Sequence, residues 1–426
     1  MSAGCWLPIA PPPPPSHHVF DVARSAEAIA TIVALCDECA WETSGREAVM
    51  LRVTLDDRYV QHLPVSRQGR ATYRVMLGAV NPGSHAVRAD LDRDLTPTAL
   101  RDMGVVVESI TVEQIDESRP EYLALSYAPF VYARPDTVGR FNDTPLFMWY
   151  EVEPEANATR YRFSVIFTNE DGGTPTDRLM ATWGRTTDVE YLYSVAVDES
   201  GAIVDQDMQG PDHETLKYGG QREGRHPLLW VSTENNMVLD RGDTQVRFGP
   251  APVAFPLTDR SREAVMDANP WLYEVMTREL RREGKIVADA PPGNGTIPDP
   301  RRFVFLEGCG EAGDRAVAFA IATGAPGGEL TWHASDRGMT AYRIVRNGCF
   351  QAATPLPGDL TLKDVRAVRA QAYPRDGRQG QAPARLTRIN QLFMLDDRYV
   401  PGTSVLSWTG NVVLEPGAAP LEIPIK

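Results

Sequence analysis

Between Val49 and Ile115 polar and apolar residues alternate in short runs, and turn residues close each run. VMLRVTL meets RYVQHLPV across Asp56-Asp57, ATYRVMLGAV meets SHAVRADL across Asn81-Pro82-Gly83, and VVVESITVEQI follows. A period of two sends successive side chains to opposite faces of a strand, whereas a helix needs apolar residues three and four apart. Strands repeating every 8 to 12 residues or so with such turns predict a small antiparallel sandwich of the immunoglobulin or fibronectin type III class over residues 21–118. His62 and His85 fall in or beside these strands and read as packing or edge residues.

The same grammar continues. A second β-rich unit, 119–287, holds YLALSYAPFVYARPD, TPLFMWYEVEP, TRYRFSVIFT, DVEYLYSVAVD and HPLLWVST, with the acidic loop NEDGGTPTDR between TRYRFSVIFT and DVEYLYSVAVD. It closes with two predicted helices. Asp259 is placed to cap SREAVMDA, and Asn269-Pro270 to open WLYEVMTRELRREG, with Leu272, Val275, Met276 and Leu280 as the buried stripe and Gly284 as the stop. Residues 288–302, ADAPPGNGTIPDPRR, have the Pro, Gly and Asn density of a linker. A third β-rich piece, 303–426, follows. The hexapeptide LDDRYV occurs at Leu55–Val60 and again at Leu395–Val400, which supports β structure at both ends. The 426 residues exceed what one core ordinarily serves, so the expected architecture is mostly β, in several antiparallel sandwiches.

A formal charge of −14 argues against nucleic acid or an anionic membrane surface as the main partner, since both need a cationic footprint. It suits cations, neutral glycans or protein partners. No run approaches the roughly 18–20 apolar residues of a transmembrane helix. Cys309 and Cys349 read as a disulfide within the third unit, Cys36 and Cys39 as a local one, and Cys5 as the odd thiol. Residues 1–20 read as a disordered, Pro-rich start, and Ser2-Ala3-Gly4-Cys5 is similar to the end of a bacterial lipoprotein cleavage box. Together these point to an extracytoplasmic protein: periplasmic, surface-anchored or secreted. No Gly-x-Ser-x-Gly, phosphate-binding loop or dinucleotide fingerprint follows a suitable strand.

Two acids stand one residue apart at the start of DVEYLYSVAVD. Strict alternation puts Val189, Tyr191, Tyr193, Val195 and Val197 on one face and Asp188, Glu190, Leu192, Ser194 and Ala196 on the other. The two carboxylates then lie about 6–7 Å apart along the strand and raise each other's pKa unless a charge compensates them. A hard cation would do so, and Asp177, Asp171 and Glu170 offer further oxygens nearby.

The spacing Gly184-x-x-x-Asp188-x-Glu190 resembles the Gly-His-Arg-His-Asp-Trp-Glu heptapeptide of the necrosis- and ethylene-inducing protein-like cytolysins. GRHPLLWVSTENNM and YAPFVYARPD are similar to stretches of the plant vacuolar-sorting-like proteins. The likeness covers residues 125–240. It implies a β-sandwich holding a divalent metal, calcium or magnesium, through Asp177, Asp188 and Glu190, with Asp177 at the family's offset of eleven residues. Arg185 stands where that family has a metal-site histidine, Thr187 replaces its second histidine and Val189 its tryptophan. Arg185 is thus a rival counter-ion.

A separate constellation lies in QGPDHETLKYGGQREGRHP, where His213, Glu214 and His226 are candidate acid-base groups, with Asp212, Tyr218 and Arg185 as binding groups. The leading expectation is a glycan- or lipid-headgroup-binding protein with an acidic, cation-dependent site. The alternatives are a polysaccharide hydrolase or lyase, and a structural or adhesive surface protein.

Overall fold

The structure is a computed structural model that describes residues 16–102, 104–137, 140–170, 172–378, 380 and 382–425. Cys5 and Asp171 lie outside the described residues. Mostly β, the chain is built from pairs of sheets, as the alternation requires.

The first unit contains β1 (His17–Val22), β2 (Ala26–Cys36), β3 (Val49–Leu55), β4 (Arg58–Val65), β5 (Gly69–Val80), β6 (Gly83–Leu91) and β7 (Val106–Ile115). Its sheets run β1-β6-β3-β4 and β5-β2-β7. Compared with the immunoglobulin order, in which the first strand lies beside the second and the last beside the sixth, the two terminal strands have exchanged sheets. The unit also begins earlier than expected, because His17–Val22 pairs along β6 from His17↔Arg88 to Val22↔Gly83. Asp56 and Asp57 both adopt positive φ, 51° and 60°, the conformation a two-residue hairpin demands.

The central unit holds α1 (Tyr122–Ser126), β8 (Phe130–Tyr132), β9 (Pro145–Pro154), β10 (Thr159–Phe167), α2 (Thr176–Trp183), β11 (Asp188–Val197), β12 (Ile203–Gln209), β13 (Thr215–Lys217), β14 (Arg222–Glu223), β15 (His226–Val231), β16 (Val238–Leu239), β17 (Arg247–Phe248) and β18 (Val253–Ala254). A six-stranded sheet, β13-β12-β11-β10-β9-β18, faces the smaller β14-β15-β8-β17 sheet, with β16 on β15. The last three residues of the expected acidic loop are helical, because α2 begins at Thr176 and ends on Gly184 at φ 64°.

Two helices follow, α3 (Ala264–Ala268) and α4 (Trp271–Arg282). The predicted caps are not used. Asp259 instead pairs with Arg388 at 2.9 Å, and Asn269 Nδ2 donates to Val265 O. The predicted stripe holds: Leu272, Val275, Met276 and Leu280 are buried, and Gly284 at φ 67° ends the helix.

The third unit holds β19 (Phe303–Glu311), β20 (Arg315–Thr323), β21 (Thr331–Ala334), β22 (Gly348–Pro355), β23 (Val365–Pro374), β24 (Ala384–Phe393), β25 (Trp408–Leu414) and β26 (Leu421–Pro424), in sheets β22-β19-β24-β25 and β21-β20-β23-β26. Cys309 lies opposite Cys349 across β19 and β22 and bonds to it, and Cys36 bonds to Cys39.

The units are packed together rather than strung out. One apolar core runs from Ile32 and Leu51 in the first unit to Phe163 and Tyr193 in the central one. Backbone bonds join β5 to the segment after β17: Met76 N donates to Gly249 O and Ala251 N to Arg74 O. A second cluster joins β10 and β11 (Ile166, Val189) through α3 and α4 (Met266, Tyr273) to the third unit (Phe305, Phe393). Residues 288–302 are not a free tether. Ile297 and Pro300 are buried, Ile297 bridges Ile286, and Gly293 N donates to Asp177 Oδ2.

Candidate functional site

β11 carries the acids, and its pairing decides where they point. Opposite β10 the register runs Phe163↔Tyr193 and then Ser164↔Tyr191, so Leu192 is an extra residue. Such a β-bulge shifts every later residue to the other face. Val189 therefore sits with Ile166 in the helix-side core, while Tyr193 and Val195 face the interior of the sandwich. Asp188 and Glu190, opposite Phe167 and Val165, also point into that interior. Strict alternation assigned Val189 and Tyr193 to one face; the bulge separates them.

Both acids are buried, Asp188 at 1% and Glu190 at 9% exposure. Burial holds the Asp188 carboxyl well above the usual range, and the charges of Glu190 and Glu170 push it further, against Arg185 and a hydrogen bond from Asn236. Burial also raises Glu190, opposed by Arg262, Arg185, His213 and Gln209.

Four loops close over this end of the sandwich. From the loop after β15, Asn236 Nδ2 donates to Asp188 Oδ2 at 2.8 Å and lies 3.4 Å from Asp143 Oδ1. Asp143, before β9, accepts from Arg134 Nη2, and its N donates to Asn169 Oδ1. At the end of β12, Gln209 Nε2 donates to Glu190 Oε2 at 2.6 Å and lies 2.9 Å from His213 Nδ1. Asn236 is fully buried, yet among the described residues its Oδ1 has no hydrogen-bond partner. Phe141, Asp143, Asp212, His213 and Asn236 all take positive φ between 51° and 60°. Left-handed backbone outside glycine is uncommon, and such strain concentrates at functional sites.

The other predicted residues are dispersed. Asp177 turns from the pair: Oδ2 accepts from Tyr342 Oη at 2.6 Å and from Gly293 N, and Oδ1 accepts from Arg178 N. Among the described residues no group of three His, Cys, Asp or Glu side chains is arranged to hold a metal ion. Arg185 is committed elsewhere. Its Nε donates to Glu263 at 3.0 Å and its Nη1 to Thr187 O, so it acts on the acids only at longer range.

His213, Asp212 and Glu214 are exposed, His213 alone being tied to the acids, through Gln209. His226 joins none of them. Its Nε2 meets Glu27 of β2 at 3.0 Å and its Nδ1 meets Ala128 O. Tyr218 is a core residue, edge-on to Tyr193, with its hydroxyl donating to Gln221 O and accepting from Leu228 N. The expected acid-base trio of His213, Glu214 and His226 is therefore not assembled.

Asn236, Asp143 and Gln209 were not among the expected site residues. The one local signal is the Asn235-Asn236 pair after HPLLWVST, since asparagine tolerates left-handed backbone. No protein-family profile matches the chain, and no curated protein matches it.

Proposed function

We propose that the Asp188–Glu190 end of the central sandwich binds a hard divalent cation, calcium or magnesium, and with it the headgroup of a glycan or lipid. One observation carries this reading: two buried carboxyl groups stand beside a buried asparagine, Asn236, whose Oδ1 has no partner among the described residues. Burying like charges together is unfavourable unless a proton or a cation joins them. The donors are all oxygen, which suits these ions. Asp188, Glu190 and the Asn236 amide would hold the ion; the Asp177 of the family resemblance does not fit, being occupied by Tyr342 and Gly293. When bound, the cation supplies positive charge that hydroxyl or phosphate oxygens coordinate. The protein's own part is to position the two carboxylates on β11 and to exclude water with the four loops. Exposed Asp212, His213 and Glu214 at the rim provide hydrogen-bonding groups for a headgroup. An extracytoplasmic location belongs to this proposal and is supported by the two cysteine pairs.

Calorimetry and thermal melting with calcium and with magnesium test it. At a hundredfold excess over Kd a ligand adds about 2.7 kcal/mol, so wild type is expected to melt a few degrees higher, with no such gain in Asp188→Asn. Absence of heat and of a shift in wild type at millimolar cation refutes the cation. A glycan array and phospholipid vesicles, each with cation and with chelator, then separate the headgroup classes.

A further inference from the structure

A second site lies about the junction of the first and central units, away from the acids. A cavity of about 230 Å³ is lined by β4, β5, β9, the segment after β17 and the start of α4. Leu63, Val75, Met148 and Ala251 supply an apolar lining. A cavity of about 150 Å³ already accepts benzene, so this one has room for a ring or a short branched chain. Pockets at domain junctions with an apolar lining and a few fixed polar groups are the common form of small-molecule site.

Two arginines line the wall; Arg74 is paired with Glu113 at 3.0 Å, which leaves Arg67. Its guanidinium is stacked between two rings, 4.6 Å from the centroid of Tyr73 and 4.8 Å from that of Trp271. Its Nη2 donates to Thr72 O. Among the described residues its buried Nε has no hydrogen-bond partner and no carboxylate pairs with it. Two further polar wall groups, Gln61 and His62, are already engaged. Gln61 bonds Met76 O and Gly249 N, and His62 sits between Tyr59 Oη and Asp92. An unpaired buried donor is unfavourable by about 1–3 kcal/mol, and a carboxylate is the natural acceptor for a guanidinium fork.

The geometry points to a binding site for a small amphipathic carboxylate, an aromatic or branched acid whose apolar body fills the cavity while its carboxylate pairs with Arg67. Charge complementarity selects this occupant over a neutral apolar molecule. The site is independent of the cation site, so neither stands or falls with the other.

Calorimetry and saturation-transfer NMR on the full chain test it, with phenylacetate, its neutral analogue phenylacetamide, and acetate as the head alone. Phenylacetate is expected to bind at least tenfold more tightly than phenylacetamide, with no detectable acetate binding. Arg67→Met, which keeps the stacking bulk, should erase the difference, and Ala251→Phe, which fills the cavity, should abolish both. Equal affinity for phenylacetate and phenylacetamide in wild type overturns the proposal, as does failure of both to bind at millimolar concentration; neither outcome depends on a variant folding.

Discussion

Asp188 and Asp267 are buried carboxyl groups held above their ordinary range, and each makes the fold proton-linked. Asp267, on α3 against the third unit, accepts from Tyr273 Oη and Gln391 Nε2, and burial beside Glu307 lifts it to about 7. The unfolded chain releases that proton near pH 4. The unfolded state is therefore the first to ionise, and stability falls as pH rises from about 4 to about 7 and then levels. Asp267→Asn is expected to flatten that limb in a denaturation series across pH. At Asp188 the sign is the same. In chelator at pH 8, Asp188→Asn should melt higher than wild type, because a group whose ionisation favours the unfolded chain is gone, and it should lose the response to cation. The acids themselves were legible in the sequence, since two carboxylates in an otherwise apolar strand stand out. Asn236 was not, because nothing local ties a loop residue after β15 to a strand 48 residues earlier.

LDDRYV shows what a short segment does and does not specify. At Leu55 it is a hairpin, Asp56 and Asp57 both left-handed between β3 and β4. At Leu395 the same six residues form a loop. Asp396 Oδ1 accepts from Arg398 N and Val400 N, and Tyr399 takes the positive φ at 62°. The turn chemistry of aspartate serves both, and the partner strand decides. Asp57→Gly should therefore raise stability by about 0.5–1 kcal/mol by relieving left-handed backbone, whereas Asp397→Gly, at ordinary φ, should not; thermal melts of the two variants make the comparison. The bulge at Leu192 escaped the sequence for a related reason. A strand pattern gives the period, but an extra residue is defined only against β10. Alternation located β11 correctly and misjudged which of its side chains share a face.

At the scale of the whole molecule the helix α4 is gripped from both sides. Trp41 Nε1 donates to Glu279 from the first unit's loop at 2.6 Å, and Gln351 of the third unit donates to the Tyr273 hydroxyl at 2.9 Å. The first and central units are further joined by the buried His226–Glu27 contact. Glu27→Ala strands His226 and is expected to destabilise by about 3–5 kcal/mol, with Glu27→Gln, which keeps an acceptor, costing less; chemical denaturation reads both. Composition suggested a division at 288–302, because Pro, Gly and Asn report how a backbone turns but not what it turns against. The buried Ile297 and Pro300 belong to that packing. Phe305 and Phe393, stacked 5.2 Å apart, are covered by Tyr273 and its neighbours. A third sandwich transplanted without α3 and α4 would carry a bare aromatic face into water and would aggregate. It is therefore not a portable module: recombination that moves it to another protein must bring the two helices along.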